Sequence, residues 1–395
     1  MRLPCSLPSV FQKAGYWTAA TGKIFHRPGS NPEGVWDKVE TFENDEMEME
    51  EKARIAFEKE NGPVTDEKNK KNWKDFSLRI APQTRDQELK GVGPGYGPSG
   101  LKDEQHADGK IANQAASWIT RKEYGDRPFL IACGFHKPHI PLLAPDSYFS
   151  LYPKESIKFD LDPKDDWNDM PKIAQYGQFK DYGFPNLGNE DLGRRQEMAQ
   201  AYYACITFMD AQFGIVIKAL KESGQWDNTI IVFTSDHGYL IGEHFMWGKV
   251  MLFEESNKVP MIVRVPGVTN GSKSDGVVEL LDIFPTLADL CSVKAPSHLQ
   301  GKSFVPMLKD PKAPAKDCAY TVVKRGDKLG RAIRFENWRY AEWGAPNLNE
   351  LYDHSKDPRE RTNLAKNTEY AQMVDRARTL LAESVKKASE YKVAP

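Results

Sequence analysis

Met198, Tyr202, Ile206, Met209, Phe213, Val216 and Leu220 step by three or four along Arg194 to Gly224, and an unalternated apolar run, Ile230 to Phe233, follows at once. A helix stopped by glycine therefore feeds directly into a strand. Ile230 to Phe233 is β-branched and aromatic with no polar alternation, the pattern of a strand buried on both faces of a parallel sheet. At its carboxyl end stand Asp236, His237 and a turn glycine, Gly238. In open α/β sheets ligands bind in the crevice beyond the carboxyl ends of the strands, so two metal-competent side chains there define a candidate site. The plainer alternative is a turn in which the Asp bonds local backbone.

The same alternation recurs along the chain. Leu7 to Gly15 reads as a helix with its glycine stop, and Tyr16 to Thr21 as a short strand. Ile111, Ala115, Trp118 and Ile119 mark a helix over Asp108 to Tyr124 that leads into the strand Phe129 to Gly134. Met261 to Val265 is a strand bracketed by prolines, and Leu280 to Leu290 a helix. Together these predict an α/β fold with a mainly parallel sheet flanked by helices. Residues 40 to 107 are charged and then rich in glycine and proline, a surface excursion with one helix near Glu48 to Lys59. A Pro, Lys and Gly-rich stretch from Ala295 to Lys316 predicts a linker. The expected organisation is a catalytic domain over 1–300 and a smaller α+β subdomain over 301–395. The latter would hold short antiparallel strands at Tyr320 to Val323, Ala332 to Phe335 and Arg339 to Trp343, and a last helix at Tyr370 to Lys387.

A net charge of -2 over 395 residues, with Lys and Arg interspersed among Asp and Glu, gives no basic stripe for phosphate backbones, so no nucleic-acid partner is expected. No apolar stretch reads as long enough to span a bilayer, so no membrane partner is expected either. The five cysteines show no metal spacing, and Cys133 and Cys205 read as small buried hydrophobes. The sequence sets no oligomeric state.

Three strand exits share one chemical character. The first carries Lys23 and His26, the second His136, Lys137 and His139, and the third Asp236 and His237, with His244 and Lys249 following. If the three strands lie parallel in one sheet, these side chains converge. Cations and imidazoles around an acidic pair are what an oxyanion ester needs: charge neutralisation, an acid for the leaving group, and a metal. Taken singly, Gly22-Lys23 reads equally as a helix stop with a solvated lysine, and His136-Lys-Pro-His-Ile-Pro141 as a rigid turn.

The strings Leu7-Pro, Gly15-Tyr-x-Thr, Gly22-Lys-x-x-His26, Asp108-Gly-Lys-Ile, His136-Lys-Pro-His-Ile-Pro, Thr234-Ser-Asp-His-Gly, Gly242-Glu-His and Glu350-Leu-Tyr-Asp with Asp357-Pro and Asn363-Leu together resemble the sulfatase family, closest to its iduronate-2-sulfatase-like branch. The resemblance runs from residue 7 to about 365 and is thinnest over 40–107. It implies an alkaline-phosphatase-like α/β fold and hydrolysis of sulfate esters of sulfated saccharides. Asp236 and His237 would be ligands of a divalent cation, by family calcium. Lys23 and Lys249 would neutralise the sulfate, and His26 and His139 would contact the sulfate or the catalytic aldehyde hydrate. His244 would orient a metal ligand. The family setting implies a periplasmic or secreted protein.

Two departures matter. The family's nucleophile is a formylglycine made from the cysteine of Cys-x-Pro-Ser-Arg, and that motif is absent; Cys5-Ser-Leu-Pro-Ser9 has its proline one place late and Val10 where arginine belongs. The paired aspartates of the family's first strand are absent as well, and the expectation is that an upstream portion is missing. Calcium takes six to eight oxygens, so Asp236 alone should hold it poorly. A metal-dependent phosphate ester hydrolase of the same fold, suited to zinc through His237, and a non-catalytic remnant that binds anionic glycans remain the alternatives.

Overall fold

The computed structural model describes residues 6–25, 34–43, 54–55, 57–70, 72–73, 96–176, 192–344 and 347–390. Contacts divide the chain into two compact units: Met1–Phe159 with Phe179–Asp227, and Asp160–Gln178 with Asn228–Pro395.

In the first unit, helix α1 (Leu7–Lys13) starts at a capping box in which Ser6 and Ser9 exchange side-chain and backbone hydrogen bonds. It turns at Gly15 into strand β1 (Trp17–Gly22). β1 is the centre of a three-stranded parallel sheet, flanked by β2 (Lys38–Glu40) and β4 (Phe129–Gly134). Two further short strands, β3 (Tyr96–Pro98) and β5 (Leu142–Ala144), pair in parallel. The crossover from β1 to β4 includes helix α2 (Ala107–Thr120), which buries Ile111, Ala115, Trp118 and Ile119 as the periodicity predicts. Trp118 meets Trp17 edge to face at 5.8 Å. Each such large apolar side chain stabilises the fold by about 1.5–3 kcal/mol on burial.

Helix α4 (Leu192–Glu222) follows the one-turn α3 (Asp146–Phe149). Its inner face departs from the sequence expectation only in part, since Met198, Val216 and Leu220 are buried as the periodicity predicts. Ala201, Ala204, Cys205 and Phe208 pack on Leu142, Ala144 and Phe149, while Ile206 is exposed. Small residues let the backbone approach closely, so the alanines share the contact face with the larger side chains. By length and composition α4 could cross a membrane, which corrects the expectation that no segment could; here it lies with one face in the core.

In the second unit, strand β6 (Ile231–Thr234) pairs antiparallel with β9 (Met261–Arg264). Among the described residues no ladder joins β6 to β1 or β4, and it returns antiparallel to β9. The reason is the connection. Residues 235–260 fold into the hairpin of β7 (Leu240–Ile241) and β8 (Trp247–Gly248) and the single turn α5 (Glu254–Asn257), with no crossover helix of the length a parallel return requires. β6 is also only partly buried rather than covered on both faces.

Helix α6 (Ile283–Leu290) and the short α7 (Val305–Lys309) precede a four-stranded antiparallel sheet: β10 (Ala319–Arg325), β11 (Lys328–Phe335), β12 (Trp338–Glu342) and β13 (Asn349–Asp353). The three expected strands are present, and β13 is a fourth. Alternate residues face opposite ways, as the pleat dictates. Ile333, Tyr340 and Leu351 pack on Val374, Ala377 and Leu381 of the last helix, α8 (Ala371–Ser389), and Ala332, Ala341 and Tyr352 join Leu240, Met246 and Phe253.

Candidate active site

The first unit brings two strand exits together. β1 and β4 run in register to Gly22 opposite Gly134, and the Lys23 N–H donates to the Gly134 carbonyl at 2.8 Å. A Cβ at Gly134 would collide with the Lys23 carbonyl, so only glycine permits this approach. Lys23 therefore starts beside the His136–Pro141 loop. His26 lies outside the described residues.

That loop is held from below. The buried Asp108 carboxylate accepts the backbone N–H groups of His136 at 2.7 Å and Lys137 at 2.9 Å, and the His136 ring sits 3.4 Å away. Lys137 Nζ donates to the Pro141 carbonyl at 2.6 Å, so this buried lysine closes the loop on itself. His139 Nδ1 lies 2.6 Å from the Ile140 carbonyl. Since a carbonyl only accepts, Nδ1 carries a proton and donates this bond, which fixes the direction of the ring. Asp108 had been part of a motif with no role; an acid in the first turn of a helix ordinarily reads as a dipole or cap residue, and nothing local announces a loop 28 positions on. Asp108→Asn keeps the shape but loses one acceptor oxygen and the charge. It is expected to lower stability by about 2–3 kcal/mol in urea unfolding, because two charge-assisted bonds weaken together. Unchanged stability would show that the loop holds itself.

The two described cysteines of this unit, Cys133 and Cys205, offer no nucleophile. Burial, reinforced by Asp108, pushes the Cys133 thiol up to about 12, and burial likewise raises fully buried Cys205 to about 12. Neither is a thiolate near neutral pH.

In the second unit, Asp236 and His237 follow β6. His237 Nδ1 lies 2.8 Å from the Gly238 carbonyl, which leaves Nε2 as the metal-competent nitrogen. That Nε2 lies 3.6 Å from Asp236 Oδ1. The turn needs Gly238, because a Cβ there would strike the Glu255 carbonyl. Two donors at this separation fit one edge of a metal site. They do not make a calcium shell: the pair supplies one carboxylate, 67% exposed, and one imidazole, against six to eight oxygens. Lys249 follows β8 in the same unit.

His244 is held by groups far upstream in the chain. Fully buried, it binds Asp166 Oδ2 through Nδ1 at 2.9 Å, donates its backbone N–H to Asp162 at 2.8 Å and stacks on Phe253 at 4.3 Å. Asp162 and Asp166 escaped the sequence reading because they lie about 80 residues upstream in a loop with no pattern of its own.

The family described as Sulfatase matches residues 1–293, which hold all of these strand exits. The chain belongs to the sulfatase family. Residues 242–387 also match the family described as N-sulphoglucosamine sulphohydrolase, C-terminal. A sulfatase of Formosa agariphila is 31% identical over 96% of this chain and 69% of its own length. Human iduronate 2-sulfatase is 28% identical over 64% of this chain; the chain spans about half, 49%, of that relative. Among solved structures, the phosphonate monoester hydrolase of Silicibacter pomeroyi superposes with a TM-score of 0.72 at 21% identity, covering 98% of this chain and 80% of that one. The fold is thus the alkaline-phosphatase-like α/β fold with a C-terminal antiparallel subdomain. Sulfatases of this family use a metal ion and a formylglycine; the 395 residues contain no Cys-x-Pro-Ser-Arg to make the latter.

Proposed function

We propose that these residues belong to a sulfuric ester hydrolase acting on sulfated carbohydrate, of the iduronate-2-sulfatase-like branch. The observation that supports it most is the family match over 1–293 together with a cation and imidazole set at the strand exits that suits a sulfate monoester. Lys23 and Lys249 neutralise the sulfate oxygens, whose charge grows on the ester oxygen as the S–O bond breaks. His26 and His139 contact the sulfate, and one of these cationic groups protonates the departing sugar oxygen. Asp108 is the positioning residue that fixes His136 and Lys137, and with them the approach of His139. Asp236 and His237 are the metal ligands this chain contributes. The 395 residues contain no Cys-x-Pro-Ser-Arg from which the family's nucleophile is made.

The test is ligand selection by titration calorimetry, comparing a sulfated monosaccharide with its desulfated and phosphorylated counterparts. Binding that requires the sulfate is expected. The imidazole of His237 suits zinc better than calcium, which favours a phosphate ester hydrolase as the second reading; tighter binding of the phosphorylated sugar would move the assignment there.

A further inference from the structure

We propose that His244, Glu255 and Glu360 form a buried site for a single zinc-like divalent cation, separate from Asp236 and His237 and independent of the ester-hydrolase reading. The ligand-competent atoms of the three residues all lie within 4.8 Å of one another. Two of them are orphans. The Nε2 nitrogen of fully buried His244 and the Oε2 oxygen of Glu255 are both buried without any hydrogen-bond partner. Buried polar atoms are ordinarily satisfied, and two within reach of each other can share one ion as their partner.

The surroundings have the form of a metal site. His244 gives its other ring nitrogen to Asp166 at 2.9 Å, the carboxylate–histidine arrangement that fixes a ligand's tautomer and raises its basicity. The residue is held in a left-handed conformation, φ 53°, which a non-glycine residue adopts only when its surroundings impose it. Those surroundings are Asp162 on its N–H, the Trp167 indole on its carbonyl at 2.6 Å and Phe253 on its ring face. Glu360 is also pinned: Oε1 accepts from Arg339 at 2.5 Å and lies 2.7 Å from His354 Nε2, and Oε2 accepts the Glu254 N–H at 2.9 Å, which leaves Oε2 a lone pair.

Charge points the same way. Glu350 and Glu360 share one buried cation, Arg339, while Asp166 and Glu360 face the imidazoles of His244 and His354. Asp162 is already matched by Arg359 and Arg361, and Glu254 by Arg334. One imidazole and two carboxylates suit zinc or a neighbouring transition ion, whereas three donors are too few for calcium.

The experiment strips the purified 395-residue chain with a chelator, reloads it with zinc ion alone, desalts it and counts metal per chain. One zinc per folded chain is expected to survive in Asp236→Asn. Glu255→Gln and Asp166→Asn are expected to weaken zinc by about 10–100-fold with unchanged circular dichroism. Should either variant fail to fold, cobalt(II) loading of the Asp236→Asn chain decides, since visible bands of a low-coordinate nitrogen and oxygen shell are expected. No retained metal or no cobalt spectrum in the folded chain overturns the site and leaves a proton or water between His244 and Glu255. Zinc lost in Asp236→Asn yet kept in Glu255→Gln overturns it as well, assigning the ion to the strand exit.

Discussion

Assayed alone, the 395-residue chain is expected to release sulfate from a sulfated sugar or an aryl sulfate about 10⁴- to 10⁶-fold more slowly than a sulfatase with its formylglycine. Removing the nucleophile of a covalent catalyst typically costs a factor of this order, because the remaining groups bind and polarise without opening the bond-breaking route. No Cys-x-Pro-Ser-Arg is present to be converted. Cys133 and Cys205 are held as thiols by burial, and the cations of the exits cannot substitute for a hydrated aldehyde. Ion chromatography of released sulfate checks this. Turnover near the ~10 s⁻¹ of an ordinary enzyme would mean that another group attacks sulfur.

Arg339→Met is expected to destabilise the second unit by about 3–5 kcal/mol. Arg339 is 2% exposed, binds Glu360 at 2.5 Å and approaches Glu350 at 3.7 Å, while its guanidinium lies over Tyr352 at 4.6 Å and Phe253 at 4.9 Å. Methionine restores the volume but strands two buried carboxylates. The cost is therefore mostly that of uncompensated charge, and Arg339→Met with Glu360→Gln should recover part of it. Denaturant midpoints of the wild type, both single variants and the double variant measure that coupling. Additive losses would show that the pair is merely adjacent.

Which elements were readable in the sequence follows from what each element packs against. α2 and α8 bury large side chains at helical spacing, so periodicity located their faces. α4 yielded its face in part: Met198, Val216 and Leu220 are buried, but alanines at 201 and 204 also make the contact and Ile206 is exposed. β6 looked like a parallel strand since composition reports burial and not direction; its partner was set by the segment 235–260, which lacks a crossover helix. Half of the charged excursion over 40–107 falls outside the described residues, and within the other half 54–55 and 57–61 are helical, where a helix is expected near Glu48 to Lys59.

The site divides in the same way. Lys23, His139, Asp236 and His237 stand at strand ends, where position in an α/β sheet gives chemistry its location, and the motifs marked them. Asp108, Asp166, Glu255 and Glu360 act at a distance in sequence, each joined to its partner by folding alone. No spacing rule relates Glu360 to His244 more than a hundred positions earlier.

The claim that the strand exits form a sulfate cradle is tested most directly by titrating one sulfated monosaccharide into the wild type, Lys23→Ala, His139→Ala and Lys249→Ala chains. Each charge-assisted contact is worth about 1.5–3 kcal/mol, so each substitution is expected to weaken binding by about 10-fold or more, with the desulfated sugar insensitive to all three. Equal affinity across the four chains, or equal losses for the desulfated sugar, would contradict the cradle.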